Sequence, residues 1–238
     1  ALQVAIANDD TAEVAYLHGE FGWYCLSKGE YAEARMHFSQ AEAHYHTAND
    51  RYALAAILRG IAYSDIALGE HKTAEQHTKE SLRLRRVIGD HEGEHETLML
   101  QAELALLGGE IDRAGQHFQA VYNYFRSRYP DALALIRSYS MGWFWAFNQQ
   151  FEQAHAFADQ VLASLTNDQA VVVMCTAHAI KLAAYGLQDN RAAMRYEIEQ
   201  VEDVLNNHPL WDSTSNSDMR FLTDFSLLLA YTPVSYTH

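Results

Sequence analysis

The chain has 238 residues, 49% of them hydrophobic, and its 31 Asp and Glu against 17 Lys and Arg give a formal net charge of −14. That balance argues against nucleic-acid binding, which needs a basic face for phosphate. No apolar run approaches the roughly 20 residues of a membrane-spanning helix, and Ala1 to Asp10 carry no basic cluster ahead of an apolar stretch of the signal-peptide kind.

The first helix is predicted over Thr11–Ser27, opened by Asp10, whose carboxylate suits the free N–H groups of a first turn. A reversal at Lys28-Gly29-Glu30 leads to a second helix over Tyr31–Ala48. The pattern then recurs. Arg51–Ala67 and His71–Ile88 follow Asp50, and His91–Leu107 and Ile111–Arg128 follow Asp90. Asp131–Phe147 and Phe151–Thr166 follow Pro130, and Gln169–Gly186 and Arg191–Asn207 follow Asp168. Gly29, Gly69 and Gly109 mark the tight reversals within the pairs. A small residue returns after each reversal, at Ala34, Ala74, Ala114, Ala154 and Ala193, in steps of 40, 40, 40 and 39 residues. Beyond a polar break at His208–Ser217, a last helix over Asp218–Tyr231 is predicted to cap the array. Its Phe221, Phe225 and Leu229 form an apolar face suited to dimerisation.

One helix pair cannot bury its own apolar stripe, so a 40-residue period implies neighbouring pairs stacked on one another. The fold expected is all-α, one repeat domain over 1–238. Its repeats lie at about 11–50, 51–90, 91–130, 131–168 and 169–208, with the capping helix at about 218–231. Cys25 and Cys175 lie four repeats apart among apolar neighbours and read as packed free thiols, hence a reduced, cytoplasmic setting.

His91-Glu92-Gly93-Glu94-His95 fits the HExxH pattern of zinc hydrolases, in which histidines four apart share a helix face and the glutamate is the base. Here it opens a helix behind Asp90, contains a glycine and has no evident third ligand, so it reads as a solvated helix start. Zinc hydrolysis by His91 and His95 is the remote alternative. Arg83, Arg85 and Arg86 read as charges solvating a helix C-terminus. The 13 histidines, mostly on the second helices of the pairs, read as exposed polar positions. The chain shows no glycine-rich phosphate loop, nucleophile elbow or CxxC pair. The expectation is a protein that is not an enzyme and holds no cofactor or metal.

The units resemble tetratricopeptide (TPR) repeats. The first has Phe21-Gly22, Gly29, Tyr31, Ala34, Phe38 and Ala41, and the fourth has Gly142, Trp145, Phe151, Ala154 and Ala158. The second carries Ala62, Gly69, Ala74 and Ser81, and the third Ala102, Gly109, Ala114 and Phe118. The fifth is degenerate, with Lys181 where a small residue is usual. The resemblance spans Thr11 to Asn207 and implies a right-handed α-solenoid of five TPR-like helical hairpins. The long repeat is similar to those of bacterial regulatory and sensory proteins, including segments ahead of diguanylate cyclase domains and transcription regulators. It implies a fragment of a longer protein in which a protein- or peptide-binding module serves an attached output domain. In such repeats the first helices line the concave face. That places Tyr16, Trp23, Arg59, Tyr63, Met99, Glu103, Tyr139, Trp143, His178 and Tyr185 as partner-binding residues. The partner expected is a protein or peptide, neither nucleic acid nor membrane, and a homodimer through the last helix is the alternative.

Overall fold

The computed structural model describes residues 2–129, 139–165 and 171–207, and among these residues every regular element is a helix. In chain order they are α1 (Leu2–Ala7), α2 (Thr11–Ser27), α3 (Tyr31–Thr47), α4 (Arg51–Ala67), α5 (His71–Ile88), α6 (His91–Leu107), α7 (Ile111–Arg128), α8 (Tyr139–Phe147), α9 (Phe151–Ser164), α10 (Val171–Leu187) and α11 (Arg191–Asn207). Helices α2, α4, α5, α6, α7 and α11 match the predicted spans residue for residue. The capping helix and its Phe221, Phe225 and Leu229 lie outside the described residues.

The capping acids act as the sequence suggests. Asp10, Asp50 and Asp90 each accept the N–H three residues on, from Glu13, Ala53 and Gly93, all at 3.0 Å. Ahead of each stands a residue with positive φ: Asp9 at 56°, Asn49 at 53° and Gly89 at 71°. The reversals within the pairs turn on a second left-handed set, Gly29, Gly69, Gly109, Gln149 and Asp189. These five positions are 40 residues apart throughout, which corrects the final step of 39. The fifth helix pair turns at Asp189 and resumes at Arg191, so Met194 rather than Ala193 stands where Ala154 does. Ala34, Ala74, Ala114 and Ala154 are fully buried, whereas Ala193 is half-buried. Gly186 leaves room for the long substitute: a Cβ there would lie 3.6 Å from Met194 Cε.

Helix α1 went unpredicted because six residues show no period. The signal was in the register. Asp9-Asp10 stands 40 residues before Asn49-Asp50, so α1 corresponds to the last turns of α3, and its Ala5 is buried as an inward position should be.

The chain divides by contact into two units, Ala1–His117 and Phe118–His238. In the first, Cys25, Leu26, Ala34, Phe38, Ala41, Ile57 and Ile61 form the core of the α2–α3–α4 layer. Phe38 fills a slot between glycines: a Cβ on Gly22 of α2 or Gly60 of α4 would come within 2.5 or 2.6 Å of its ring. The seam behind it, Leu54, Ala55, Leu58 and Leu84 with Tyr45, joins one pair to the next. In the second unit, Tyr122, Trp145 and Phe157 meet through tilted and edge-on ring contacts. Gly142 there makes room for Phe157 and Ile180.

Candidate functional site

In the first unit, three successive pairs contribute one side chain each to a continuous line on the α2, α4 and α6 face. The Arg59 guanidinium lies over the Trp23 ring, 4.9 Å from its centroid, and its Nη2 reaches Glu96 Oε2 at 3.5 Å. The Arg59 side chain is 26% exposed, and among the described residues its buried Nε has no hydrogen-bond partner. Desolvation lowers the Arg59 pKa, and the Glu96 carboxylate offsets only part of that shift. Stacking and pairing hold the planar cation in place. Tyr16 is 53% exposed, while Trp23, Tyr63 and Met99 are half-buried. Trp23 meets Phe38 edge-on at 4.9 Å, so its inner edge is core and its outer face carries Arg59. Glu103, the acid expected on this face, is buried at 5% exposure.

The HExxH segment owes its form to packing. Arg85, expected to solvate a helix end, is instead buried and pairs with the capping Asp90, while Arg83 and Arg86 meet Glu80 and Glu94 at the surface. The Arg85 guanidinium lies where a Cβ on Gly93 would be, which accounts for the glycine. His95 Nδ1 donates to the His91 carbonyl at 2.7 Å. Among the described residues the group of three or more metal-ligating side chains is Cys25, Glu30 and Glu33, which excludes both histidines of the motif. Gly93→Ala should displace Arg85 and lower the unfolding free energy by about 1–3 kcal/mol. A urea midpoint equal to wild type would contradict this account of the glycine.

His46, His71 and His91 are exposed as expected, whereas five other histidines are drawn into the helix interfaces. His37, His77, His117 and His155 are half-buried, and His178 is buried. His77 Nδ1 donates to Asp65 Oδ2 at 2.9 Å, and Arg35 Nη1 reaches the other oxygen of that buried carboxylate at 3.2 Å.

In the second unit, Tyr139 and Tyr185 are half-buried, while Trp143 and His178 are buried at 3% and 8% exposure. Trp143 stacks on Phe147, and among the described residues its indole N–H has no hydrogen-bond partner. His178 Nδ1 donates to Glu197 Oε2 at 2.7 Å, and Lys181 bridges Glu197 at 3.1 Å and Asp159 at 3.0 Å. Tyr185 faces His155 at 4.2 Å between ring centroids, and among the described residues neither ring nitrogen of His155 has a hydrogen-bond partner. Burial pushes the Cys175 thiol up to about 11, so it is an inert packed group.

No family model matches this chain, and neither does any curated protein. Solved structures do match. BtubC (BKLC) from P. vanneervenii superposes with a TM-score of 0.65 over 85% of this chain and 84% of its own, at 12% identity. A kinesin-light-chain-type protein of Podosopora anserina with nearly identical TPR-like repeats superposes with a TM-score of 0.58 over 79% of this chain and 93% of its own, at 16% identity. The fold is a TPR-like helical repeat.

The TPR-like hairpins here carry an acid sensitivity of their own. Burial first, then Arg113 and Arg86, lowers the His117 pKa. Burial first, then Lys181, lowers that of His155. Both rings are therefore held neutral in the folded repeat, and their contribution is fully present above the unfolded value of about 6.5. It is lost as the pH falls through 6.5 toward the lower folded values. The urea midpoint should drop between pH 7.5 and 5, and the drop should shrink in His117→Phe/His155→Phe. A midpoint difference unchanged by that double variant would count against these two rings.

Proposed function

We propose that the protein is a non-catalytic interaction scaffold that binds a peptide or protein segment along the Trp23–Arg59–Glu96 face of its first unit. The observation that carries this reading is the guanidinium held between an indole face and a carboxylate, with exposed Tyr16 on the same helix as Trp23. Aromatic and arginine anchors of this kind dominate binding where they are pre-oriented. TPR-like repeats generally mediate protein binding, and both structural neighbours have this fold. A net charge of −14 favours a partner segment with basic residues. The finer reading is a bacterial signalling or regulatory protein in which binding is relayed to an output domain. The buried free thiols Cys25 and Cys175 fit a reducing cytoplasm.

Selection from a random 12-residue peptide display library tests it. Enriched peptides should carry Lys or Arg beside apolar residues, and their affinity should fall at least tenfold in Trp23→Ala and in Arg59→Gln. Binders indifferent to both substitutions, or no enrichment at all, would sink the reading. Trp143→Ala is a poor probe, because that ring is buried and its loss would act on stability.

A further inference from the structure

We propose that an open cavity at the first hairpin is a binding site for a small arylalkylamine, an aromatic ring joined to a protonated amine. The cavity measures about 480 Å³ and is walled by α2, α3 and the end of α1. Its walls have counterparts one repeat on. Val14, Ala15, His18 and His44 stand 40 residues before Leu54, Ala55, Leu58 and Leu84, the seam that joins the next two pairs. There the seam is closed by Tyr45, which packs against it. The residue 40 positions before Tyr45 is Ala5 of α1. Later pairs hold Arg85 and Phe125 at this position, 4% and 1% exposed. Large side chains thus fill the later seams, and the small Ala5 leaves the first one open.

The open space has the chemistry of an aromatic, cationic guest. A ring entering it takes the place that Tyr45 holds one repeat on, against Val14 and Ala15, and buries its faces there. Two leucines of the closed seam are His18 and His44 here, so the wall offers hydrogen bonds as well. His18 Nδ1 is taken by His37 at 2.9 Å, which leaves Nε2 for a ligand hydroxyl. Burial and then His37 lower the His18 pKa, so the ring sets no positive charge against an amine. Asp9 and Asp10 line the same cavity, and both are exposed. Residues 1–50 hold eight acids against Lys28 and Arg35, so the field around the cavity favours a cation. An apolar hollow with a few convergent polar groups is the usual form of a small-molecule site.

This site is separate from the Trp23–Arg59–Glu96 face. At 3.6 residues per turn, Val14, Ala15 and His18 centre about 140° around α2 from Tyr16 and Trp23.

Tyramine, titrated into the isotope-labelled whole chain at pH 7.5, tests the assignment by NMR. The methyl signals of Val14, Ala15 and Ala43 should shift first and saturate as one site. The analogue 4-hydroxyphenylacetate keeps the ring and reverses the charge, and butylamine keeps the charge and lacks the ring. Each should bind at least tenfold more weakly. Ala5→Tyr rebuilds the closed seam and should abolish binding without lowering the urea midpoint. Asp9→Asn introduces the residue that stands at Asn49 with the same left-handed backbone, φ 53° against 56°. It should weaken tyramine severalfold with far-UV circular dichroism unchanged, and it decides alone if Ala5→Tyr fails to fold. No saturable shift at these methyls, equal binding of either analogue, or tyramine binding that survives a folded Ala5→Tyr or is indifferent to Asp9→Asn would overturn the proposal.

Discussion

Removing both Arg35 and His77 is expected to destabilise the first unit by about 3–5 kcal/mol, more than removing the carboxylate they serve. Asp65 is fully buried near the C-terminal end of α4, where the helix dipole disfavours a negative charge. Its oxygens are held by Arg35 from α3 and His77 from α5, so one side chain ties three helices together. The two partners are 42% and 24% exposed, so each can return to water when Asp65 is removed. Asp65→Ala should therefore cost only about 1–3 kcal/mol, mostly lost hydrogen bonding. Arg35→Ala/His77→Ala instead strands the carboxylate in the interior. Adding Asp65→Ala to that pair should restore stability rather than reduce it further. Urea midpoints of the three variants decide the point. A triple variant less stable than the double would show that the buried charge is not what sets the cost.

How much of this was legible beforehand follows from the range of each interaction. Helix ends and reversals are local events, written in Asp10, Asp50 and Asp90 and in the glycines at the turns, and the predicted spans agree with them. The slip at Ala193 arose because a small residue was sought where the register had placed Met194, and the left-handed Asp189 carries no glycine to announce it. The candidate face was only partly readable. Spacing places Trp23, Arg59 and Glu96 on first helices, but a contact between side chains 36 or 37 residues apart depends on how the pairs stack. The same limit hid Arg85. Its charge suggested solvent, while its burial follows from Asp90 and from the missing side chain of Gly93. Histidine was misread for a related reason. At the interface between helices, the partners that make a half-buried imidazole tolerable come from another element, as Asp65 does for His77.

Phe38 offers the sharpest test of the packing itself. Its ring is fully buried in a slot whose walls are the bare backbones of Gly22 and Gly60. Phe38→Ala should cost about 3–5 kcal/mol, because two helix backbones cannot close over the space left. Gly60→Ala would ordinarily help a helix by about 1 kcal/mol. Here its methyl would meet the ring within 2.6–3.0 Å, a separation real Cβ contacts do not sustain. The ring or α4 must shift, at about 1–3 kcal/mol, so the net effect in the wild-type background is destabilising or at best neutral. With Phe38→Ala already present the collision is gone. The new methyl then fills part of the cavity and keeps its helical advantage, so Gly60→Ala should stabilise the Phe38→Ala protein. A reversal of sign between the two backgrounds, read from urea midpoints, is a coupling that only direct contact produces. Equal effects in both would mean the glycine serves the helix alone, and the close approach of α4 to α3 would need another cause.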